Sequence, residues 1–369
     1  MSQPASFSPR TVAAADLRRL MTDVFAAMAV NQEDVQIVVD ALMEATLAGY
    51  DSHGVMRIPR YVQELRQGVM LPRGEFRILR ETAAAAHVDA GRALGAVTAT
   101  RALTLACEKA TAVGIGAVAT INSTDIGRLG SYLARPAQAG FVTLLMVNDS
   151  GGLPTVAPFG AATRFFSTNP IGAGIPRRAG DPIIIDMSTS IASVGKLRMA
   201  AQRGEMVPAG WLVDRQGDDV VNPARFFEEP EAVFLLPLGG LLAGYKGFAL
   251  QLLVDTLAGA LGGAGVAMGT DPGIEANALF AVAIDPDHFA SRATFLDLVE
   301  QMVAGLEAAP ALPGTQGVRI PGQRAAQERQ RRLAAGIVLS GTLVGQLATT
   351  LDGLGLAERY RDLLDLPRP

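Results

Sequence analysis

With 369 residues, 49% of them hydrophobic and 18% charged, the chain has ample apolar material for a large buried core. A formal net charge of -4 without any long Lys/Arg run excludes the electrostatic footprint of a nucleic-acid or anionic-membrane binder, leaving small-molecule chemistry. The single cysteine, Cys107, excludes an intrachain disulfide, and three scattered histidines, His53, His87 and His288, have no metal-ligand spacing, so a reducing cytoplasm and no metal are expected.

Met1 to Arg10 is polar and lacks the apolar core of an export signal. From Thr11 to Gly49 apolar residues recur at helical spacing, first Leu17, Met21, Val24, Phe25 and Met28, then Val35, Val38, Val39 and Leu42. Asn31 stands where an N-cap belongs, so two helices joined near Val30 to Gln32 are predicted, with Gly49 closing the second. Asp51 to Gly68 is expected as a third, shorter helix, kinked at Pro59.

The pattern then changes. Short apolar runs at His87 to Ala90 and Gly116 to Ile121 flank an Ala-rich helical stretch, Ala96 to Val113, and Phe141 to Val147 and Ile183 to Asp186 continue the strand rhythm. The most apolar stretch, Ala232 to Gly265, is interrupted by Lys246 and Asp255 and broken by Gly239-Gly240 and Gly262-Gly263. A membrane span wants roughly 18 or more uninterrupted apolar residues, so buried core is expected there. Helical periodicity covers Gly247 to Leu261, Phe289 to Leu306 and Gly322 to Leu366. The predicted fold class is α/β: a helical domain from residues 1–75 plus 305–369 and an α/β domain over 76–304.

Common dinucleotide and hydrolase motifs are missing. Gly114-x-Gly116 is followed by Ala119 and Gly172-x-Gly174 by Arg177, so no G-x-G-x-x-G fingerprint occurs. Gly195-Lys196 lacks the earlier glycine of a phosphate-binding P-loop, and no G-x-S-x-G elbow exists. What remains is a set of polar clusters in apolar surroundings. On a helix, His53, Arg57 and Tyr61 would share one face, offering a proton donor, a bidentate carboxylate grip and a phenol to a 2-oxo or 2-hydroxy acid. The spacing alone fits a solvated amphipathic helix better. Asn122 to Gly130 follows a strand and precedes a helix, which suits a phosphate-contacting turn or an ordinary loop. Asp186-Met187-Ser188-Thr189-Ser190 closes an apolar strand with hydroxyls that suit a site or a helix cap.

In this order the chain resembles the malate/L-lactate dehydrogenase family. The motifs are Asp51-Ser52-His53-Gly54, Ala157-Pro158-Phe159-Gly160, Thr168-Asn169-Pro170, the 186–190 segment, Gly195-Lys196, Pro208-Ala209-Gly210-Trp211, Pro237-Leu238-Gly239-Gly240, Lys246-Gly247-Phe248 and Arg319-Ile320-Pro321-Gly322. The family includes hydroxycarboxylate, ureidoglycolate and sulfolactate dehydrogenases and piperideine-2-carboxylate reductases. The resemblance implies a non-Rossmann NAD(P)-binding α/β domain, a homodimer, NAD or NADP as cofactor and a small-molecule substrate. It makes His53 the proton donor, oriented by Ser52 and Asp186, and places the substrate at Arg57, Tyr61 and Asp125. The cofactor is implied near Ile126, Gly127, Arg128, Leu129, Asn169, Ser188, Thr189, Ser190 and Lys246.

Four positions depart from the family pattern: Asp125 and Tyr245 stand where it usually has histidine, Ala161 replaces a glycine and Gln323 a glutamate. A carboxylate at 125 repels an anionic oxo acid unless it is protonated or cation-paired, and it favours an iminium or amino-bearing substrate. A family member that has lost turnover and serves as a cofactor-binding or assembly protein is the alternative these departures motivate.

Overall fold

The computed structural model describes residues 7–150, 152, 154–267 and 277–367; most of the polar stretch before Arg10 lies outside the described residues. After a short strand, β1 (Arg10–Val12), come the two expected helices, α1 (Ala14–Ala27) and α2 (Gln32–Leu47). Asn31 caps α2 by accepting a hydrogen bond from the Asp34 amide at 2.9 Å, satisfying a donor that every helix start leaves unpaired. Leu17, Leu20, Met21, Val24 and Phe25 form the buried stripe of α1, and they join the main core with Val35, Val38, Val39 and Leu42 of α2.

The expected third helix is instead two tight 3₁₀ turns, Asp51–His53 and Val55–Arg57, leading into α3 (Ile58–Arg66). Gly54 makes the break. Its backbone (φ -112°, ψ -127°) leaves the helical region, and a Cβ there would lie 2.2 Å from Thr46 Oγ1 of α2. Pro59 sits in the first turn of α3, where its missing N–H costs nothing, so it starts the helix and does not kink it.

β2 (Arg77–Glu81) and β3 (Ala85–Asp89) form a hairpin, and α4 (Gly95–Val113) carries the chain to β4 (Ile115–Ile121), parallel to β3. After α5 (Gly130–Gln138), β5 (Val142–Asp149), β6 (Ile171–Ile175) and β7 (Ile183–Met187) run antiparallel in series. Next come α6 (Val194–Arg203) and a small sheet of β8 (Leu212–Asp214), β9 (Asp219–Val220) and β10 (Val233–Leu235), with α7 (Ala224–Glu228) between the last two. After α8 (Gly240–Val254), β11 (Asn277–Ile284) inserts between β4 and β5, antiparallel to both. The seven-stranded order is β2-β3-β4-β11-β5-β6-β7, and within the described sheet only β3 and β4 pair in parallel, unlike a doubly wound dinucleotide-binding sheet.

The C-terminal third holds α9 (Arg292–Glu307), α10 (Gln323–Ala335), β12 (Ile337–Leu339), α11 (Gly341–Asp352) and α12 (Arg361–Leu364). β12 interrupts the expected run of helix and pairs antiparallel with β1.

The stretch expected to be buried core is turned the other way in α8. Gly240, Gly244, Gly247, Gln251 and Val254 face inward, whereas Leu241, Leu242, Leu252 and Leu253 are exposed, Leu242 to 95%. Close approach is the cause: a Cβ at Gly247 would lie 2.4 Å from the Leu238 backbone, so only the glycine face fits against the protein. Among the described residues no helix is long and apolar enough to cross a membrane.

Candidate active site

Separate stretches of sequence converge on a cavity of about 140 Å³ whose walls include His53, Arg57, Asp125, Gly127, Asn148 and Asn169. The 3₁₀ turns after α2 bring in His53 and Arg57, the loop after β4 brings Asp125, Ile126, Gly127 and Leu129, and the segment before β6 brings Asn169.

His53 Nδ1 lies 3.0 Å from Ser52 Oγ. Burial lowers the imidazole from its ordinary 6.5 to about 4, and the Arg57 charge adds to that, while Asp125 and Asp186 pull it back up. At neutral pH the ring is therefore uncharged. Asp186, at the end of β7, accepts a hydrogen bond from the Gly130 amide at 3.0 Å and pairs with Arg128 Nε at 3.2 Å. The Arg128 guanidinium lies over the Tyr50 ring, 4.4 Å from its centre.

Arg57 and Asp125, both expected at the substrate, are joined to each other: Nη1 lies 2.7 Å from Oδ2, and Arg57 Nε donates to Ser52 O at 2.8 Å. Arg60 Nη1 is 3.8 Å from the same carboxylate oxygen. Burial pushes the Asp125 carboxyl up, but Arg57, Arg60 and the Gly127 amide, which donates to Oδ1 at 2.9 Å, outweigh it and hold it below the usual carboxylate range. Of the two ways a carboxylate could be tolerated at this position, the structure has the cation-paired one. Tyr61 is buried with its hydroxyl 3.5 Å from the Asp125 carbonyl, and burial raises that phenol well above its ordinary value.

Of the residues expected near the cofactor, Ile126, Gly127, Leu129 and Asn169 line the cavity. Ser188, Thr189 and Ser190 direct their hydroxyls to backbone carbonyls of Ser190, Asn169 and Ala192 at 3.0, 2.8 and 2.7 Å, which shapes the loop. Lys246 is exposed on α8, outside the cavity walls, with its ammonium 5.8 Å from the Tyr245 ring centre. Arg128 and Gly130 also border a larger groove of about 450 Å³, whose walls include Glu44, Ser131, Gly322 and Arg329.

Asn148 was not anticipated. It is buried near the end of β5, and its Nδ2 donates to Asp255 Oδ1 at 3.3 Å and Gly265 O at 3.2 Å. Its Oδ1, like that of Asn169, is buried and has no hydrogen-bond partner among the described residues. Such atoms are costly unless something satisfies them. The available signal was a polar pair, Asn148-Asp149, ending the apolar run of β5.

The profile of the malate/L-lactate dehydrogenase family matches residues 12–348. Hydroxycarboxylate dehydrogenase B of Escherichia coli is 36% identical over 331 residues, covering 88% of each chain. Malate dehydrogenase of Pyrococcus horikoshii superposes with a TM-score of 0.84 at 30% identity, over 96% of this chain and 99% of that one. Delta1-piperideine-2-carboxylate reductase of Pseudomonas syringae gives 0.77 at 31% identity, over 92% and 99%. With its mixed seven-stranded sheet, its ordered motifs and these matches, the chain is a dehydrogenase-type enzyme that belongs to the malate/L-lactate dehydrogenase family.

Proposed function

We propose that the enzyme moves hydride between NAD or NADP and a 2-oxo or 2-hydroxy acid or a cyclic imino acid, with His53 moving the accompanying proton. One observation carries this reading: an uncharged imidazole, set by Ser52 at 3.0 Å, on the wall of a cavity shared with Arg57 and Asp125. When bound, the reduced nicotinamide supplies the hydride. The residues present fit such a group, because Asn148 and Asn169 line the cavity and each has a buried amide oxygen with no partner among the described residues, able to accept from a carboxamide.

In oxidation, neutral His53 accepts the hydroxyl proton; in reduction, its protonated form quenches charge developing on oxygen or nitrogen. Asp125 and Asp186 favour the protonated ring and Arg57 opposes it. A substrate carboxylate resting on Arg57 offsets that opposition and lifts His53 toward a working range. Since Arg57 is already paired, the substrate shares it with Asp125, and a second substrate carboxylate would meet a like charge. The pairing lets a single carboxylate, as in a lactate-type acid, sit beside Asp125, while it weighs against a second one, as in malate, and leaves an iminium or amino-bearing acid favoured by the nearby negative charge. The helical domain, residues 1–75 plus 305–369, supplies the His53 turn to a cofactor-binding domain over 76–304. The exposed apolar face of α8 supports a homodimer.

Fluorescence titration with NADH and NADPH, followed by a panel of 2-oxo acids with and without methylamine, tests the reading. Cofactor oxidation by at least one acid or imine, lost in His53→Gln, is expected. Binding without oxidation across the panel overturns it in favour of a non-catalytic cofactor-binding protein.

A further inference from the structure

The turn that carries His53 is held from outside the cavity by α10. That helix presents Arg324, Glu328 and Arg332 at four-residue spacing, hence on one face. Arg332 reaches Asp51, the residue that opens the His53 turn, with both terminal nitrogens; Nη2 lies 3.0 Å from Asp51 Oδ2. Its Nη1 also donates to the Thr46 carbonyl at the end of α2 at 2.9 Å, and its Nε donates to Glu328 at 2.6 Å. One largely buried guanidinium therefore bridges the last turn of α2 and the first residue of the His53 turn. The same helix reaches the second carboxylate by another path: Arg324 Nη2 donates to Tyr50 Oη at 3.1 Å, and the Tyr50 ring faces Arg128, the partner of Asp186.

We propose that Arg332 is a positioning residue for His53, acting through Asp51 to hold the Ser52–His53 turn against α2 and keep the imidazole in its sheltered place. The proposal rests on His53 as the proton-moving group, but it is read out on His53 itself. Neither Arg332 nor Asp51 is among the residues lining the cavity with His53, so their effect is transmitted by the turn. A planar, bidentate fork suits this task, and a lysine reproduces only part of it. The groups that face His53 and set its charge are Arg57, Asp125, Asp186 and Arg128; none of them is altered in the variants below.

The test uses the full-length protein and its three histidines, whose imidazole resonances are assigned by His53→Gln and followed by NMR during a pH titration. In Arg332→Met and in Asp51→Asn the turn loosens, water reaches the ring, and the His53 titration is expected to rise by roughly one pH unit or more. Arg332→Lys gives an intermediate shift, and the double variant moves no further than either single one. On any substrate found active, kcat falls by about ten- to a hundredfold while cofactor affinity holds. Arg331→Ala, which removes a neighbouring exposed charge that also pairs with Glu328, leaves both readouts unchanged. A His53 titration and kcat that stay in place in folded Arg332→Met overturn the proposal. If that variant does not fold, an unmoved titration in the isosteric Asp51→Asn overturns it equally. A moved titration in a protein inactive on every substrate upholds the brace and removes the proton-transfer reading.

Discussion

The His53 turn and helix α8 both contribute residues expected at the active site, and they are built in opposite ways. The turn is tied inward: Arg57 to Asp125, Arg332 to Asp51, and the Gly54 backbone pressed on Thr46. In α8 the small residues face the protein, while Leu242, Tyr245 and Lys246 stand outside. A motif residue in the first region already has its chemical neighbours within one chain. A motif residue in the second, Lys246, stands exposed among the described residues, with the Tyr245 ring centre 5.8 Å from its ammonium. Identical motif strength in a sequence thus describes two different states of completion.

Substitutions on the two sides should separate accordingly. The largest effect is expected at His53: His53→Gln lowers turnover by about 10²–10⁴-fold in a spectrophotometric assay and leaves cofactor fluorescence titration intact. Equal loss of cofactor binding would erase the distinction between the two sides. At Asp125, exchange for His frees Arg57 from its present partner, and the ratio of turnover on oxo acids to that on imines should rise by roughly ten- to a hundredfold. An unchanged ratio removes Asp125 from substrate choice.

The turn should also respond to acid. His53 titrates near 4 in the folded chain and near its ordinary 6.5 when unfolded, so between these values the unfolded state binds more protons. Stability then falls as pH drops from 6.5 to 4, by at most about 3 kcal/mol from this group. Denaturant titrations at several pH values should show a shallower acid loss in His53→Gln; parallel curves contradict the sheltered ring. On α8 the two faces should differ. Gly247→Val overpacks the inner face and destabilises by about 1–3 kcal/mol in chemical denaturation. Leu242→Glu keeps the circular dichroism spectrum and weakens self-association about tenfold by sedimentation, and unchanged association would show that the outer face has no second copy on it.

Much of this was legible from sequence where periodicity and capping agree. Asn31 and the apolar stripes of α1 and α2 fall where expected, as do β3, α4, β4, β5 and β7. The central strand β11 was not seen, because Ala278 to Ile284 is an unbroken apolar run without the alternation that marks a half-exposed strand. The Arg57–Asp125 pair was legible only as two residue types in two motifs, since 68 positions of chain separate them. α8 defeated hydropathy altogether, for average apolarity says nothing about which face a backbone contact selects.

The brace from α10 has a consequence for how the molecule comes into being. Asp51 meets Arg332, and Arg10 to Val12 meet Ile337 to Leu339, so segments made early are completed by segments made much later. During synthesis the α1–α2 pair can collapse on its own apolar stripe, yet the His53 turn waits for nearly three hundred further residues before its arginine exists. If Arg332 positions His53 as proposed, the imidazole is set only once α10 has been made, so a nascent chain ending before α10 is expected to hold the α1–α2 pair with a loosened His53 turn.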